Sequence, residues 1–404
     1  MKILVVCQHY YPEQFRITDI CEELVKRGHE VSVITGTPNY PMGKIYEGYG
    51  RGKKRDETLN GVKVHRCFEI GRRKGVLFRF LNYYSFAFSS KRYAKKLKEK
   101  FDVVLANQLS PVMMADGAVA YKKKHGARLV LYCLDLWPES LIVGGIKRGS
   151  FLYKHYHKTS KKIYTKADKI VVTSKLFRSY FTREFGIDDG RIGYLPQYAE
   201  EMFSATSCKK ERAENDTIDL LFAGNIGAAQ SVETLVRAAA LTKDIEKLRW
   251  HIVGDGISLE GCRALASELD AENVIFHGRK PLEEMPAFYK SADAMLVSLI
   301  KDEVLSLTLP GKVQTYMAAG KPVLGAIDGE TAETIRAAAC GYCGEAEKAE
   351  LLAENVRRFC EDVKSGRVAK LGENARAYYE ANFTKEKFFA ELESAMSVKG
   401  EENG

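Results

Sequence analysis

The sequence predicts an α/β protein of two domains, each a parallel sheet wound on both faces by helices. Three observations carry this. The chain has 404 residues, too many for one ordinary hydrophobic core. Short runs rich in Val, Ile and Leu alternate with helical patterns, and the runs are apolar on both faces, as strands buried between helix layers must be. The alternation occurs twice. The polar stretch "CKKERAENDT" (208–217), which lacks apolar periodicity, divides the two series.

In the first series "KILVVC" precedes the amphipathic "RITDICEELVKRG", where Gly28 is a natural helix stop, and then "EVSVIT". "VKVHRC", "DVVLAN", "RLVLYCLD" and "KIVVTS" are the further strands. The second series runs "DLLFAG", a helix over "VETLVRAAALTK", "RWHIVG", a helix over "LEGCRALASEL", then "NVIFHG", "AMLVSL" and "KPVLGA". The expected organisation is a Rossmann-like domain over 1–207, a linker over 208–217 and a second Rossmann-like domain over 218–382. A terminal helix within 383–404, "TKEKFFAELESAM", is expected to pack back toward the first domain. No tandem repeat of short period is present.

The composition, 45% apolar and 28% charged, is that of a folded globular chain. No apolar run is long enough to span a bilayer. "MKILVVCQHYYPEQF" lacks a small-residue cleavage site, so it reads as a first strand, and nine scattered cysteines are expected to be reduced in the cytoplasm. "CGYC" (Cys340, Cys343) has no second pair with which to hold zinc and reads as structural. Charge is unevenly placed. Residues 1–200 hold 37 Lys and Arg against 19 Asp and Glu, a balance of +18, whereas the remainder sums to −9. The basic half should meet something anionic. Its Lys and Arg interleave with aromatics in 71–100 and 147–166, which fits either an anionic membrane surface or a helix with a buried aromatic face and solvated lysines. No helix-turn-helix, zinc or RNA-binding motif accompanies them, so nucleic acid is not expected.

Doubly wound sheets place ligands at the carboxyl ends of their strands. Those ends read "QHYYPEQFR", "TGTPNYP", "NQLSP" and "DLWPES" in the first half. In the second they read "GNIG", "GDG", "GRKP" and "SLIKDEVLSLTLPGK".

The series "MKILVVCQHYYPE", "LVKRGHEVSVIT", "DLWPES", "ADKIVVTS", "YLPQYAEEMF", "FAGNIG", "HIVGDG", "VIFHGRKPLEEMPAFYKSADAMLV" and "LPGKVQTYMAAGKPVLG" resembles bacterial glycosyltransferases of family 4 over nearly the whole chain. "DLWPE" together with "LPGK…YMAAGKPV" resembles the branch that builds capsule, O-antigen and exopolysaccharide units, including N-acetylfucosamine-type transferases. The resemblance implies the GT-B fold, with two Rossmann-like domains facing across a cleft. It also implies retaining transfer of a hexosyl or N-acetylhexosaminyl group without a catalytic metal or cofactor. The donor would be a nucleotide sugar, expected to be a UDP-sugar. The acceptor would be a lipid-linked or other saccharide at the inner face of the cell membrane. The sequence departs from the family where a basic pair is common, reading Asn225 and Gln230, and where two glutamates are usual, reading Leu307 and Thr315. It departs again where many members carry a histidine, reading Asp135 and Leu136.

A departing nucleoside diphosphate gathers charge on its distal phosphate, so donors must converge there. "GNIGAAQS" offers a glycine turn with Gly224, Asn225, Gly227 and Gln230, or a plain tight turn. "LPGK" offers Gly311 and Lys312, the foremost candidate for phosphate charge. Arg279 and Lys280 follow another strand and read equally well as a surface turn. Gly254, Asp255 and Gly256 permit close backbone approach by a base or ribose, Gln314 or Thr315 is placed for ribose hydroxyls, and Glu330 for the sugar.

On the acceptor side, Asp135 ends an apolar strand where an acceptor hydroxyl must lose or share its proton. Trp137 offers a flat face for a sugar ring, and Glu139 binds hydroxyls or caps a helix. His9, with Glu13 and Arg16 nearby, is a second catalytic candidate, and Asn107, Gln108 and Ser110 fill the matching place after another strand. The rival readings are a catalytically silent GT-B binding partner and a sugar-nucleotide epimerase. A nicotinamide dehydrogenase is disfavoured, because no "GxGxxG" follows "KILVVC".

Overall fold

The computed structural model describes residues 1–73, 75–143, 145–204, 210 and 217–397. They form two compact units. The first comprises Met1–Thr173, Phe177–Leu195 and the chain from Glu391, and the second comprises Ser174–Leu176 and Pro196–Ala390.

The first unit holds an eight-stranded sheet: β1 (Lys2–Val6), β2 (Glu30–Thr35), β3 (Asp56–Leu59), β4 (Val62–Arg66), β5 (Val103–Gln108), β6 (Arg128–Cys133), β7 (Lys169–Val172) and β8 (Ile192–Tyr194). The order is β3-β4-β2-β1-β5-β6-β7-β8, parallel throughout except that β3 runs antiparallel to β4. β5 is buried at every residue, as a central strand covered on both faces requires. β3 and β8 are absent from the sequence prediction because "DETL" and "IGY" carry too little apolar pattern. The β3–β4 hairpin did leave a signal. Asn60 and Gly61 both take positive φ (49° and 83°), the turn an Asn-Gly pair favours.

The second unit holds β9 (Ile218–Ala223), β10 (Leu248–Val253), β11 (Val274–Gly278), β12 (Ala294–Ser298), β13 (Val323–Ala326) and β14 (Gly341–Gly344), all parallel, in the order β11-β10-β9-β12-β13-β14. Trp250 on β10 is fully buried in the core against the helices Val232–Ala240 and Ala349–Lys364. β14 takes up the last three residues of "CGYC", and Cys340 and Cys343 are free thiols.

Both sheets reverse their strand order once, between β1 and β5 in the first and between β9 and β12 in the second. Strand ends at such a reversal splay apart and leave a crevice for ligand.

The first unit gives way to the second at Leu195/Pro196, earlier than the expected boundary at 207. The segment after Leu195 packs on second-unit side chains. The Ala199 amide donates to Tyr379 Oη (3.1 Å), Tyr198 meets Phe388 edge-on, and Phe203 lies 4.6 Å from Tyr289. The expected linker lies almost wholly outside the described residues; of it, Lys210 is paired with Asp219 and Asp293 (2.6 and 3.0 Å). The helix Lys385–Met396 ends on the first unit, where Arg128 donates to the Ala395 carbonyl (3.0 Å) and His29 Nε2 meets Glu393 (2.9 Å). Among the described residues, no helix is long and apolar enough to cross a membrane.

Candidate active site

In the second unit the loop after β9 carries Gly224–Gln230, and it is held at the reversal by β12. Ser298 Oγ donates to the Gln230 carbonyl (2.6 Å), and the Ile300 amide donates to that of Ala229 (3.1 Å). Lys312, second residue of the helix Gly311–Ala318, reaches back over this loop. Its Nζ stands 4.1 Å from the Phe222 ring centroid and 3.4 Å from Gln230 Oε1. A Cβ at Gly224 would come within 2.8 Å of it, so the glycine makes room for the ammonium. Burial lowers the Lys312 pKa to about 8. Among the described residues no carboxylate forms an ion pair with it. A desolvated cation beside a glycine turn and a helix start is built to receive an anion.

Gly224, Gln230, Gly311 and Lys312 therefore come together as expected, with Asn225 exposed beside Gly227. Other donor-side candidates are placed differently. A Cβ on Gly254 would lie 1.8 Å from the Gly224 carbonyl oxygen, and one on Gly256 would lie 2.2 Å from that of Ile226. These glycines admit the protein's own backbone, not a base or ribose, and Asp255 is an exposed turn residue whose Oδ1 accepts the Gly256 amide (2.7 Å). Arg279 is exposed at the end of the edge strand β11, two strands from the reversal, and Lys280 pairs with Glu284 at 3.9 Å. Gln314 is fully buried, its amide nitrogen donating to the carbonyls of Pro310 (2.8 Å) and Gly311 (3.1 Å), while Thr315 donates to Gly311 (3.3 Å). Both side chains donate back to their own helix start. Glu330 is buried, and its Oε2 accepts the Leu176 amide (3.1 Å).

In the first unit His9 follows β1 at the reversal. Its Nδ1 lies 2.9 Å from Glu13 Oε2, and both residues are buried. Glu13 Oε1 accepts the amides of Asn39 (2.7 Å) and Tyr40 (2.6 Å). With Oε1 taken by these amides, Glu13 Oε2 is the oxygen left to meet His9 Nδ1. The imidazole stacks on Phe15 (4.7 Å between centroids) and meets Tyr40 at 5.4 Å. Glu13 is thus the residue that orients His9 and ties down the Asn39–Tyr40 loop, not an acceptor contact. Arg16 is half-buried near Tyr132.

After β6, Asp135 is partly exposed. Its Oδ2 accepts from Ser110 Oγ (2.7 Å), which in turn accepts from Trp137 Nε1 (2.7 Å). Desolvation raises its carboxyl pKa, against the hydrogen bonds from Ser110. Its neighbours are architectural. Trp137 is 3% exposed and meets Tyr156 edge-on, so its face is not available to a sugar. Glu139 is buried and accepts from Arg148 (2.7 Å), Tyr153 (2.7 Å) and Tyr180 (3.0 Å), which uses its oxygens within the fold. Asn107 is buried too. Gln108 is fully buried, donating to the carbonyls of Leu109 (2.8 Å) and Asp135 (2.9 Å). It fixes the Asp135 backbone and does not face an acceptor. Sequence reasoning missed Glu69, Asn39 and Asn82, which pack around Gln8 and His9. No motif joins them, since the fold brings them from separate elements.

The helix Val76–Lys96 presents a solvent-facing stripe of Leu77, Leu81, Tyr84 and Phe88, at helical spacing, with Leu77 68% and Phe88 69% exposed. Tyr84 Oη meets Tyr156 Oη (3.1 Å), which joins this helix to Phe151–Tyr164, where Phe151 is 89% exposed.

A family profile described as Glycosyltransferase Family 4 matches residues 14–197, and one described as Glycosyl transferases group 1 matches residues 204–378. The chain belongs to the family 4/group 1 glycosyltransferases. This transferase is 27% identical over 382 residues to the putative colanic acid biosynthesis glycosyl transferase WcaI of Escherichia coli K12, covering 89% of this chain and 92% of WcaI. It is 26% identical over 357 residues to the probable glycosyltransferase WbjE of Pseudomonas aeruginosa, covering 82% and 84%. Its two-unit architecture is the GT-B fold. Sucrose-phosphate synthase from Thermosynechococcus elongatus superimposes with a TM-score of 0.69 at 17% identity, covering 97% of each chain. Anabaena Alr3699/HepE, solved with UDP and glucose, superimposes with a TM-score of 0.68 at 14% identity, covering 98% of this chain and 100% of its own.

Proposed function

We propose that this glycosyltransferase moves a hexosyl or N-acetylhexosaminyl group from a UDP-sugar to a lipid-linked or other saccharide acceptor in surface polysaccharide assembly. The observation that carries the donor half is Lys312, a desolvated ammonium without a carboxylate partner among the described residues, held over Gly224 at the strand reversal. A diphosphate supplies the missing anion. The polysaccharide role draws on the names of the relatives WcaI and WbjE, and the uridine nucleotide on the HepE complex. Retention at the anomeric carbon, and the place of this chain among N-acetylfucosamine-type transferases, rest on the family resemblance.

In the proposed reaction the bond from C1 to the distal phosphate oxygen breaks, and UDP leaves with the electron pair, its charge met by Lys312 and the amides at the Gly311 helix start. The acceptor oxygen bonds to C1, and its proton passes to His9 Nε2. Asp135 accepts a hydrogen bond from the acceptor. The reaction takes place at the inner membrane face, with the Leu77–Phe88 stripe and its flanking Lys and Arg set on anionic lipid. A silent binding partner or an epimerase would release no UDP in an acceptor-dependent way.

Calorimetric titration with UDP tests the donor site. Lys312→Ala is expected to weaken UDP binding by about 1.5–3 kcal/mol, the scale of a charged hydrogen bond. Equal affinity in the two proteins removes Lys312 from the site.

A further inference from the structure

At the carboxyl end of the first sheet, beside His9, lies a buried polar cluster that the donor and acceptor assignments leave unused. Glu69 follows β4 in "HRCFEI" and is 2% exposed. Its Oε1 accepts from Gln8 Nε2 (2.8 Å) and from Asn82 Nδ2 (2.5 Å), and Asn82 Oδ1 accepts from Gln8 as well (2.9 Å). Asn82 Nδ2 also donates to the Ile70 carbonyl (2.8 Å), which fixes the cluster to the helix Val76–Lys96. The other oxygen, Glu69 Oε2, lies against the Gly36 backbone, where a Cβ would come within 1.7 Å of it. It has no hydrogen-bond partner among the described residues, and neither has Gln8 Oε1.

We propose that Glu69 is a positioning residue for His9: it holds the end of β1 through the Gln8 side chain and sets the proton balance of the His9–Glu13 pair. This rests on the reading of His9 as the group that meets the acceptor. The structural half follows from connectivity. Gln8 precedes His9, and its backbone carbonyl accepts from the Gly36 amide (3.0 Å) and Thr35 Oγ1 (3.1 Å), so the β1 end is pinned from both main chain and side chain. The electrostatic half follows from burial. A carboxyl with one bare oxygen away from water is costly to ionise, and burial pushes the Glu69 pKa up to about 7. The titratable groups that face it are His9, whose charge favours its ionisation, and Glu13, whose charge opposes it. Gln8, Asn39 and Asn82, the remaining polar groups around it, carry no charge.

The sign is fixed. As Glu69 ionises near neutral pH, its charge favours the imidazolium form of His9, so the His9 titration midpoint is higher with Glu69 than without it. Glu69→Gln keeps an acceptor oxygen for Gln8 and Asn82 while removing the charge. The test is a ¹⁵N NMR titration of the histidine rings in the full-length chain, with the His9 signals assigned by their loss in His9→Asn. The His9 midpoint is expected to fall by about 1 pH unit in Glu69→Gln, the low end of the effect of an adjacent charge, with the other histidines unmoved. The wild-type His9 curve is expected to show two steps. An unmoved His9 midpoint in folded Glu69→Gln overturns the proposal, and so does a single-step wild-type curve if that variant does not fold. No sugar enters this measurement. A coupled His9 with undiminished transfer by His9→Asn would therefore sink the acceptor reading and leave the pairing standing.

Discussion

Asp135 and Glu139 stand four residues apart, and their surroundings give them opposite tasks. Glu139 spends its oxygens on Arg148, Tyr153 and Tyr180, so it is a buried knot of the fold. Asp135 receives one hydroxyl, from Ser110, and remains partly open. Asp135→Asn preserves shape and removes the charge. It is expected to slow transfer by about 10–100-fold, the loss of one charged hydrogen bond worth about 1.5–3 kcal/mol, and to leave UDP affinity unchanged. Turnover near wild type in a folded Asp135→Asn protein would return this strand end to architecture. The acid-Trp-Pro-acid pattern was legible in the sequence, but the division of labour was not, because the partners of Glu139 lie on a later turn and two helices. Gln314 and Thr315 were misplaced for a similar reason. Their position after "LPGK" is visible in sequence, but the inward turn of both side chains onto Gly311 and Pro310 is not.

At the scale of elements, alternation of apolar runs with helices identified six of the eight strands of the first sheet and five of the six of the second. What was lost, β3, β8 and β14, was short and at the edges, where burial imposes no apolar pattern. The strand reversals were invisible as well, since adjacency in a sheet is set by packing and not by local sequence. They are what bring Lys312, on its own helix, over the loop after β9. This arrangement makes UDP binding pH-dependent. The Lys312 ammonium is charged below its pKa of about 8 and loses its proton above it. A bound diphosphate holds that proton, so affinity is expected to be flat below about pH 7 and to fall by up to about tenfold per pH unit above pH 8, the slope of one linked proton. Calorimetry across this range checks it. Lys312→Ala should flatten the profile, and an equally steep fall in that variant would assign the proton elsewhere.

For the molecule as a whole, the unequal charge of the two halves was fully legible, being arithmetic on the sequence, whereas the outward-facing stripe was not. The helix Val76–Lys96 reads as a mixture of aromatics and bases, and only the fold decides which aromatics are covered: Tyr83 and Phe86 turn inward, Tyr84 and Phe88 outward. Two forces should then act on an anionic membrane. Electrostatic attraction from the basic first 200 residues is screened over about 8 Å at physiological salt, while apolar insertion of the stripe is not. Co-sedimentation with anionic vesicles should accordingly weaken with salt without vanishing. Phe88→Asp should lower the salt-resistant part by at least about tenfold, since burying a Phe side chain is worth roughly 1.5–3 kcal/mol. Neutral vesicles should bind far less than anionic ones at low salt. Binding that disappears entirely at high salt, with Phe88→Asp indistinguishable from wild type, would leave the stripe as exposed surface and the attraction as charge alone.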